Sequence, residues 1–440
     1  MGHLGHLKQE YVELIQRLEA GTVGLPEPKT EDARKGWKEI LEILYTPEEA
    51  EFASRMPTMP TSLRALEKRY KMTQDTLIAR LEPMCDKGLI MDLKSPRTGK
   101  VKYFLAPPVV GFFEFSLMRA HDMIPKKKIA EALKAYTHHD DTFAREVFGT
   151  ETTIGRALVH EPAIGPGANG DMPEVLDWER ATSIINQSKT AAVSLCYCRH
   201  KQEHLGTACD APTEVCLSLN AGAEFVIRRK FGKEITKERA LEILNESRAK
   251  GLVQIGDNVM NRPTYICNCC GCCCGQLQSI NEYGLHGVSP SGFKPVLKEE
   301  DCKGCSRCSR ACPIGAIAMQ PKRLENQRKN DILPAINEEN CIGCGVCSTT
   351  CRSDALPMIR RAKVKHVPAN SIEKSIRQAL ERGRLAHLLI DHGAGMGPRF
   401  MNEVLRILTR LPVSKQLLAN KQLQSRFIKA ALSQVKDPTE

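Results

Sequence analysis

The sequence predicts a mainly α-helical protein that carries small α+β modules. Three observations support this fold class. Apolar residues recur at helical spacing through most of residues 1–160 and again after Lys365. A middle region crowds cysteines around short apolar runs. Between Phe293 and Arg361, a unit of short strand, acidic pair, four-cysteine run and second short strand occurs twice. A chain of 440 residues exceeds what one core serves, and 42% hydrophobic content supports several buried cores.

Residues 1–44 read as helix with a Gly/Pro break between Gly21 and Pro28. Thr46–Pro47–Glu48–Glu49 is a helix start, with Thr46 as cap, Pro47 in the first turn and Glu49 closing a capping box. A second helix places Leu63, Leu66 and Tyr70 on one face. A third begins at Thr73, carries Leu77, Leu81 and Met84, and ends at Gly88, with Pro83 expected to interrupt its end. Leu89–Leu93 and Lys100–Phe104 then read as two strands about the turn Ser95–Gly99. Three helices followed by a hairpin resemble a winged helix-turn-helix. Residues 114–160 again read as helix, and 161–170 (EPAIGPGANG) as a boundary loop. Beyond it come a helix over Trp178–Gln187, a buried strand over Ala191–Leu195, a helix over Asn220–Ala249 and a strand over Leu252–Ile255. After Lys365 the chain is helical, with a hinge at 392–398 (HGAGMGP) that lacks the context of a phosphate loop.

The 19 cysteines set the chemistry. Disulfide scaffolds are short and secreted. The opening of this chain is a polar–apolar helix, so no signal peptide is expected, and no stretch of about 18 apolar residues suggests a membrane span. Clustered cysteines in a cytoplasmic chain are expected to be metal-bound thiolates. Cys302, Cys305, Cys308 and Cys312 are spaced by two, two and three residues and followed by Pro313, and Cys341, Cys344, Cys347 and Cys351 repeat those spacings. Gly304 and Gly343 permit tight turns within the two runs. A pair of four-thiolate zinc sites is the alternative, but zinc ligands usually come as paired cysteines separated by a longer loop.

Over residues 295–361 the doubled run is similar to the bacterial two-cluster [4Fe–4S] ferredoxins. That resemblance implies two [4Fe–4S] clusters, one on Cys302, Cys305, Cys308 and Cys351, the other on Cys341, Cys344, Cys347 and Cys312, because the fourth cysteine of each run serves the opposite cluster. Arg352 stands where the family often has proline. With Ser306, Arg307, Ser309 and Arg310 it makes the surroundings polar and cationic, which favours the reduced cluster. Taken whole, the chain resembles a wider group of 4Fe–4S ferredoxin-type proteins of anaerobes, which implies electron transfer without naming a substrate.

Two further cysteine groups follow no regular spacing. Cys196, Cys198, Cys209 and Cys216 lie within 21 residues and suffice for one more centre. His200 and His204 in that loop read as surface residues. The stretch CNCCGCCCG holds Cys267, Cys269, Cys270, Cys272, Cys273 and Cys274. Adjacent cysteines in extended chain point to opposite sides, so these six require sharp turns, for which Gly271 and Gly275 supply freedom. Three outcomes stay open: a further cluster on four of the six, ligands shared with the 196–216 group, or a thiol–disulfide pair. One or two additional iron–sulfur clusters are the preferred expectation, since bare clustered thiols oxidise readily. Cys85 reads as packed core.

The segments are therefore an N-terminal helical stretch (1–44), a winged-helix-like domain (45–120), a helical linker region (121–190), a cysteine-rich domain (191–285), a two-cluster ferredoxin-like domain (286–362) and a helical tail (363–440). The function expected is electron relay to or from a partner oxidoreductase; no catalytic residue is assigned, and a stand-alone enzyme is not favoured. No nicotinamide or flavin fingerprint follows a predicted strand. Net charge is +11, which two oxidised clusters at roughly −2 each would reduce. The runs Lys126–Lys128, Arg228–Lys230 and Arg360–Arg361 read as solvated surface, or together as a docking face for an acidic redox partner. Phe400, Val404, Ile407, Leu408 and Leu411 form one face of a C-terminal helix, with Arg399, Arg406 and Arg410 elsewhere; core packing is the simpler role, and partner or peripheral membrane contact the other. Two alternatives remain. One is an iron–sulfur-sensing transcription regulator, whose wing would use Lys94, Arg97, Lys100 and Lys102; its recognition helix, with Gln74, Asp75, Arg80 and Glu82, has no net positive charge for DNA. The other is a reductase using the CNCCGCCC stretch as catalytic cluster or dithiol.

Overall fold

The computed structural model describes residues 7–95, 98–165, 174–321, 332–392 and 398–423. It divides into two compact units. One comprises Met1–Ser116, His121–Thr152 and Ser371–Glu440; the other comprises Leu117–Ala120 and Thr153–Asn370. Helix outweighs strand, as predicted.

In the first unit, the Thr46 hydroxyl accepts from the Glu49 amide while the Glu49 carboxylate accepts from the Thr46 amide, starting the helix Pro47–Ser54 with the predicted capping box. Helices Leu63–Tyr70 and Gln74–Lys87 follow, and three strands, β1 (Thr61–Ser62), β2 (Ile90–Lys94) and β3 (Val101–Leu105), form an antiparallel sheet in the order β1-β3-β2. Pro83 does not break the third helix, which runs on to Lys87 and ends at Gly88 in left-handed conformation. One lost backbone bond is offset by the burial of Leu81, Met84 and Cys85 on its inner face. Of the wing residues, Arg97 lies outside the described residues. Helices Ser371–Glu381, Leu385–His392, Pro398–Thr409 and Val413–Leu423 complete the unit. Val404, Ile407, Leu408 and Leu411 pack with Ile376, Leu380 and Leu385 in one core, so this face of the amphipathic helix is covered by its own chain. The Phe400 and Arg399 side chains and most of the glycine hinge, 393–397, lie outside the described residues.

The second unit is built on a seven-stranded sheet: β4 (Gly155–Leu158), β5 (Ala191–Leu195), β6 (Glu214–Leu219), β7 (Lys233–Ile235), β8 (Val253–Asp257), β9 (Tyr265–Cys269) and β10 (Val288–Ser289), in the order β10-β4-β8-β9-β6-β5-β7. Only the β10–β4 pair is parallel. The sequence reading placed helix over β4 and β7 and assigned no strand to β6, β9 and β10. Period two explains the sheet in retrospect. Leu158, Val193, Leu217, Leu219 and Ile266 face helices Ala181–Gln187 and Lys237–Ala249. Ala157, Val253, Ile255 and Cys269 face the helix Gly275–Tyr283 and residues of the duplicated region, including Ile314, Ile342 and Val346. That region forms two small antiparallel ribbons. β11 (Phe293–Pro295) pairs with β14 (Met358–Arg360), and β12 (Ile317–Pro321) with β13 (Ile332–Ile336), so the copies close in a nested fashion. Among the described residues, no helix is long and apolar enough to cross a membrane.

Candidate metal centres

Each four-cysteine run of the duplicated region wraps a loop and then enters a short helix, Arg307–Ala311 in the first copy and Val346–Thr350 in the second. Cys312 and Cys351 occupy the ends of those helices. Gly304 and Gly343 hold φ of 61° and 68°, where glycine is favoured. A Cβ on Gly343 would stand 2.1 Å from the Phe293 carbonyl oxygen, so this turn admits no side chain. Cys341, Cys344, Cys347 and Cys312 line one small apolar cavity, together with Ile314 and Ile342. Burial pushes the Cys344 thiol up to about 12 and raises Cys341 and Cys347 as well. A dry pocket that disfavours bare thiolates while gathering four sulfurs is suited to a metal, whose positive charge reverses that preference. The Ala316 amide donates to the Cys312 sulfur at 3.2 Å. Arg310 reaches the Cys305 carbonyl at 3.3 Å. Arg360 and Arg361 are not simply solvated surface. Arg360 pairs with the buried Glu179, and Arg361 donates to the carbonyls of Phe293 and Cys341 at 2.9 and 2.7 Å, placing a cation beside that cysteine loop. Neither arginine had been assigned to the site; the only available sign was their adjacency to the last strand of the repeat.

The ten irregular cysteines separate into two groups of six and four. Cross-strand register places Cys216 on β6 next to Cys267 on β9, and Cys269 follows on the same face two residues along. Cys196 and Cys274 each precede a helix, Tyr197–His204 and Gly275–Tyr283, and Cys198 lies in the first turn. Thiol contacts run from Cys216 to Cys267, Cys269, Cys274, Cys198 and Cys196 in succession, and the charges of Cys196 and Cys198 also act on Cys216, so the six make a ring. All six are buried or half-buried. The contact from Cys198 draws the Cys274 thiol downward, and that from Cys216 does the same for Cys267.

The other four are Cys209, Cys270, Cys272 and Cys273. Their sulfurs all lie within 4.8 Å of one another. The six thiols of CNCCGCCC thus divide three and three: Cys269 and Cys270 part to opposite sides, whereas the turn over residues 271–273 keeps the adjacent Cys272 and Cys273 together.

Two buried cations sit among these groups. Arg199 is 1% exposed; its guanidinium donates to the carbonyls of Pro212 and Asn268 at 2.8 and 2.7 Å. Burial works against its charge, but Cys196, Cys270 and Cys269 outweigh that and raise its pKa. Lys201 is 3% exposed, with burial lowering its pKa against the opposing pull of Cys198, Glu282, Cys273 and Cys274. Fully buried Arg and Lys need partner anions, and thiolates predominate here. Sequence reading passed over both residues, although Arg199 lies inside the CYCRH stretch. It also placed His200 on the surface. His200 is buried, with Nδ1 2.7 Å from the Leu117 carbonyl oxygen and Nε2 3.1 Å from Nε2 of His204, because the helix carrying it turns this face inward.

Residues 301–355 match the family model of the 4Fe-4S dicluster domain. Comparisons with curated proteins and with solved structures find no match to the chain. The chain therefore contains a ferredoxin-type iron–sulfur domain, and its donor set, glycine turns and dry pocket fit that cofactor.

Proposed function

We propose that the protein is an electron relay that carries two [4Fe–4S] clusters and a third iron–sulfur cluster, and that it exchanges electrons with a partner oxidoreductase. The observation that carries this reading is the dicluster match over residues 301–355, lying on a sheet face whose apolar cluster contains Cys267, Cys269 and Cys274 of the six-thiol ring. In this reading Cys302, Cys305, Cys308 and Cys351 hold one cluster. Cys341, Cys344, Cys347 and Cys312 hold the second, and four or more of Cys196, Cys198, Cys216, Cys267, Cys269 and Cys274 hold the third. Bound clusters of this class supply one-electron carriage at potentials set by nearby charge and hydrogen bonds. The chain contributes the tuning. Arg361 stands beside the Cys341 loop and Arg199 beside the ring, and both favour the more negative, reduced state. Ile314, Ile342 and Leu277 exclude water between the sheet and the duplicated region. The basic net charge suits a partner with an acidic docking face.

In this reading the helices and hairpin of the first unit form a winged-helix-like module, and we assign it to protein contact rather than DNA. The helix Gln74–Lys87 exposes Asp75 and Arg80 in balance, with Ile78 between them, and its Lys87 is bound to Glu49 at 2.7 Å. Iron and acid-labile sulfide counts on anaerobically purified protein, with EPR during reduction, test the relay. About twelve irons and twelve sulfides per chain are expected. About eight of each removes the third cluster, and colourless protein without sulfide removes the relay.

A further inference from the structure

We infer that Cys209, Cys270, Cys272 and Cys273 hold a single zinc ion as a closed tetrathiolate, separate from every iron–sulfur cluster. The distances lead there. The sulfurs of Cys209 and Cys270 are 3.6 Å apart, those of Cys272 and Cys273 3.7 Å, and those of Cys209 and Cys273 3.8 Å. Four sulfurs placed tetrahedrally at about 2.3 Å from one zinc stand about 3.8 Å from each other. A cubane binds its four thiolates at four different irons, so its sulfurs spread farther. The same molecule supplies the contrast: among the described residues, no other group of three or more candidate ligands has all its donor atoms within 4.8 Å, and both ferredoxin-type sets fall in that wider class.

Local structure and charge agree. Residues 271–273 form a turn that brings the adjacent Cys272 and Cys273 to one point. Four thiolates on a divalent ion leave two negative charges, and Arg199 beside Cys270 and Lys201 beside Cys273 are buried cations in position to balance them. The role is structural. Gly271, the first residue of the turn, packs so closely on the Pro313 carbonyl that an added Cβ would lie 2.3 Å from its oxygen, and Asn281 donates to the same oxygen at 3.1 Å. Pro313 follows Cys312, so the ion fixes a knuckle against the segment that presents this thiol to its cavity.

Full-length protein, purified anaerobically, is compared with Cys209→Ser and Cys272→Ser by elemental analysis. The wild type is expected to carry about one zinc per chain. Each variant is expected to lose at least nine tenths of it while iron and sulfide stay at the wild-type ratio. Zinc X-ray absorption on the wild type, which does not depend on the variants folding, should give four sulfur neighbours at about 2.3 Å and no short metal–metal distance. Wild-type protein without zinc, or variants that lose iron in place of zinc, overturns the assignment. Neither result bears on the eight cysteines of the dicluster domain, whose failure would show instead as missing sulfide.

Discussion

Replacing Gly343 with alanine tests the cofactor cavity most directly. The residue lies between Cys341 and Cys344 with φ of 68°, and its neighbour is backbone that cannot yield cheaply. The Phe293 carbonyl oxygen that an added Cβ would meet at 2.1 Å is already held by the Arg361 Nε at 2.9 Å, and Phe293 is paired into β11–β14. The Ser291 hydroxyl stands at 2.5 Å on the same path, and real Cβ contacts essentially never fall under 3.0 Å. The turn must therefore open by most of an ångström. Left-handed backbone costs an alanine about 1–2 kcal/mol, and forced overpacking adds about 1–3 kcal/mol. Metal–ligand distances tolerate only about 0.2 Å, so the displaced Cys341 and Cys344 can no longer ligate. Gly343→Ala should lose about four irons and four sulfides per chain. Gly315→Ala is the matched control. Its φ is 62°, nothing lies within 4 Å of the new methyl, and it bears the backbone cost alone, so its iron content should equal wild type. A Gly343→Ala protein with full iron and sulfide would refute the reasoning.

Other outcomes follow from the same geometry. Cys216→Ser should remove about four irons per chain and leave the EPR signals of the dicluster domain in place; unchanged iron would exclude Cys216 as a ligand of the third cluster. Arg199→Gln deletes a buried cation beside the ring, so the third cluster's midpoint potential should move to more negative values while the other two stay put, and a potentiometric EPR titration reads the sign. In the first unit, Arg384 pairs with Glu19 at 2.7 Å and also binds Glu146, and Arg384→Ala should cost about 1–2 kcal/mol, discounted because Glu19 is a third exposed. Burial already raises the Glu19 pKa, and Arg384 opposes that rise. A carboxyl with a raised folded-state pKa contributes stability at low pH that is lost as pH rises through that pKa. The deficit of Arg384→Ala in an anaerobic thermal melt should accordingly shrink between pH 7 and pH 5; a constant deficit would place Glu19 outside the effect.

The ferredoxin-type domain was legible in the sequence because its cysteine pattern is local: the first three cysteines of each run span seven residues, and duplication repeats the pattern. The six-thiol ring was not legible. It depends on the register that puts Cys216 beside Cys267 and on two helix starts that bring Cys196 and Cys274 inward, and neither register nor helix docking is encoded in gaps of ten and six residues. Cys209 comes from a loop remote in sequence from its three partners. β4 and β6 escaped because strands with few exposed residues lack the polar–apolar alternation that marks a half-buried strand. Pro83 misled for the opposite reason, since a strong local signal was overridden by the buried face around it. The capping box at Thr46 was read correctly because all its atoms lie within four residues.

Apart from the short stretch Leu117–Ala120, the chain leaves its first unit at Thr153 and returns to it at Ser371, so in sequence the metal unit is an insertion flanked by the two parts of its host. A ribosome must therefore release every cysteine beyond Cys85 before the host can acquire Arg382 and Arg384, which clasp Glu146. Biogenesis becomes ordered: metal loading has a time window during synthesis in which the host unit is still unfinished, and an apo-protein stalled in that window would present an incomplete host to proteases.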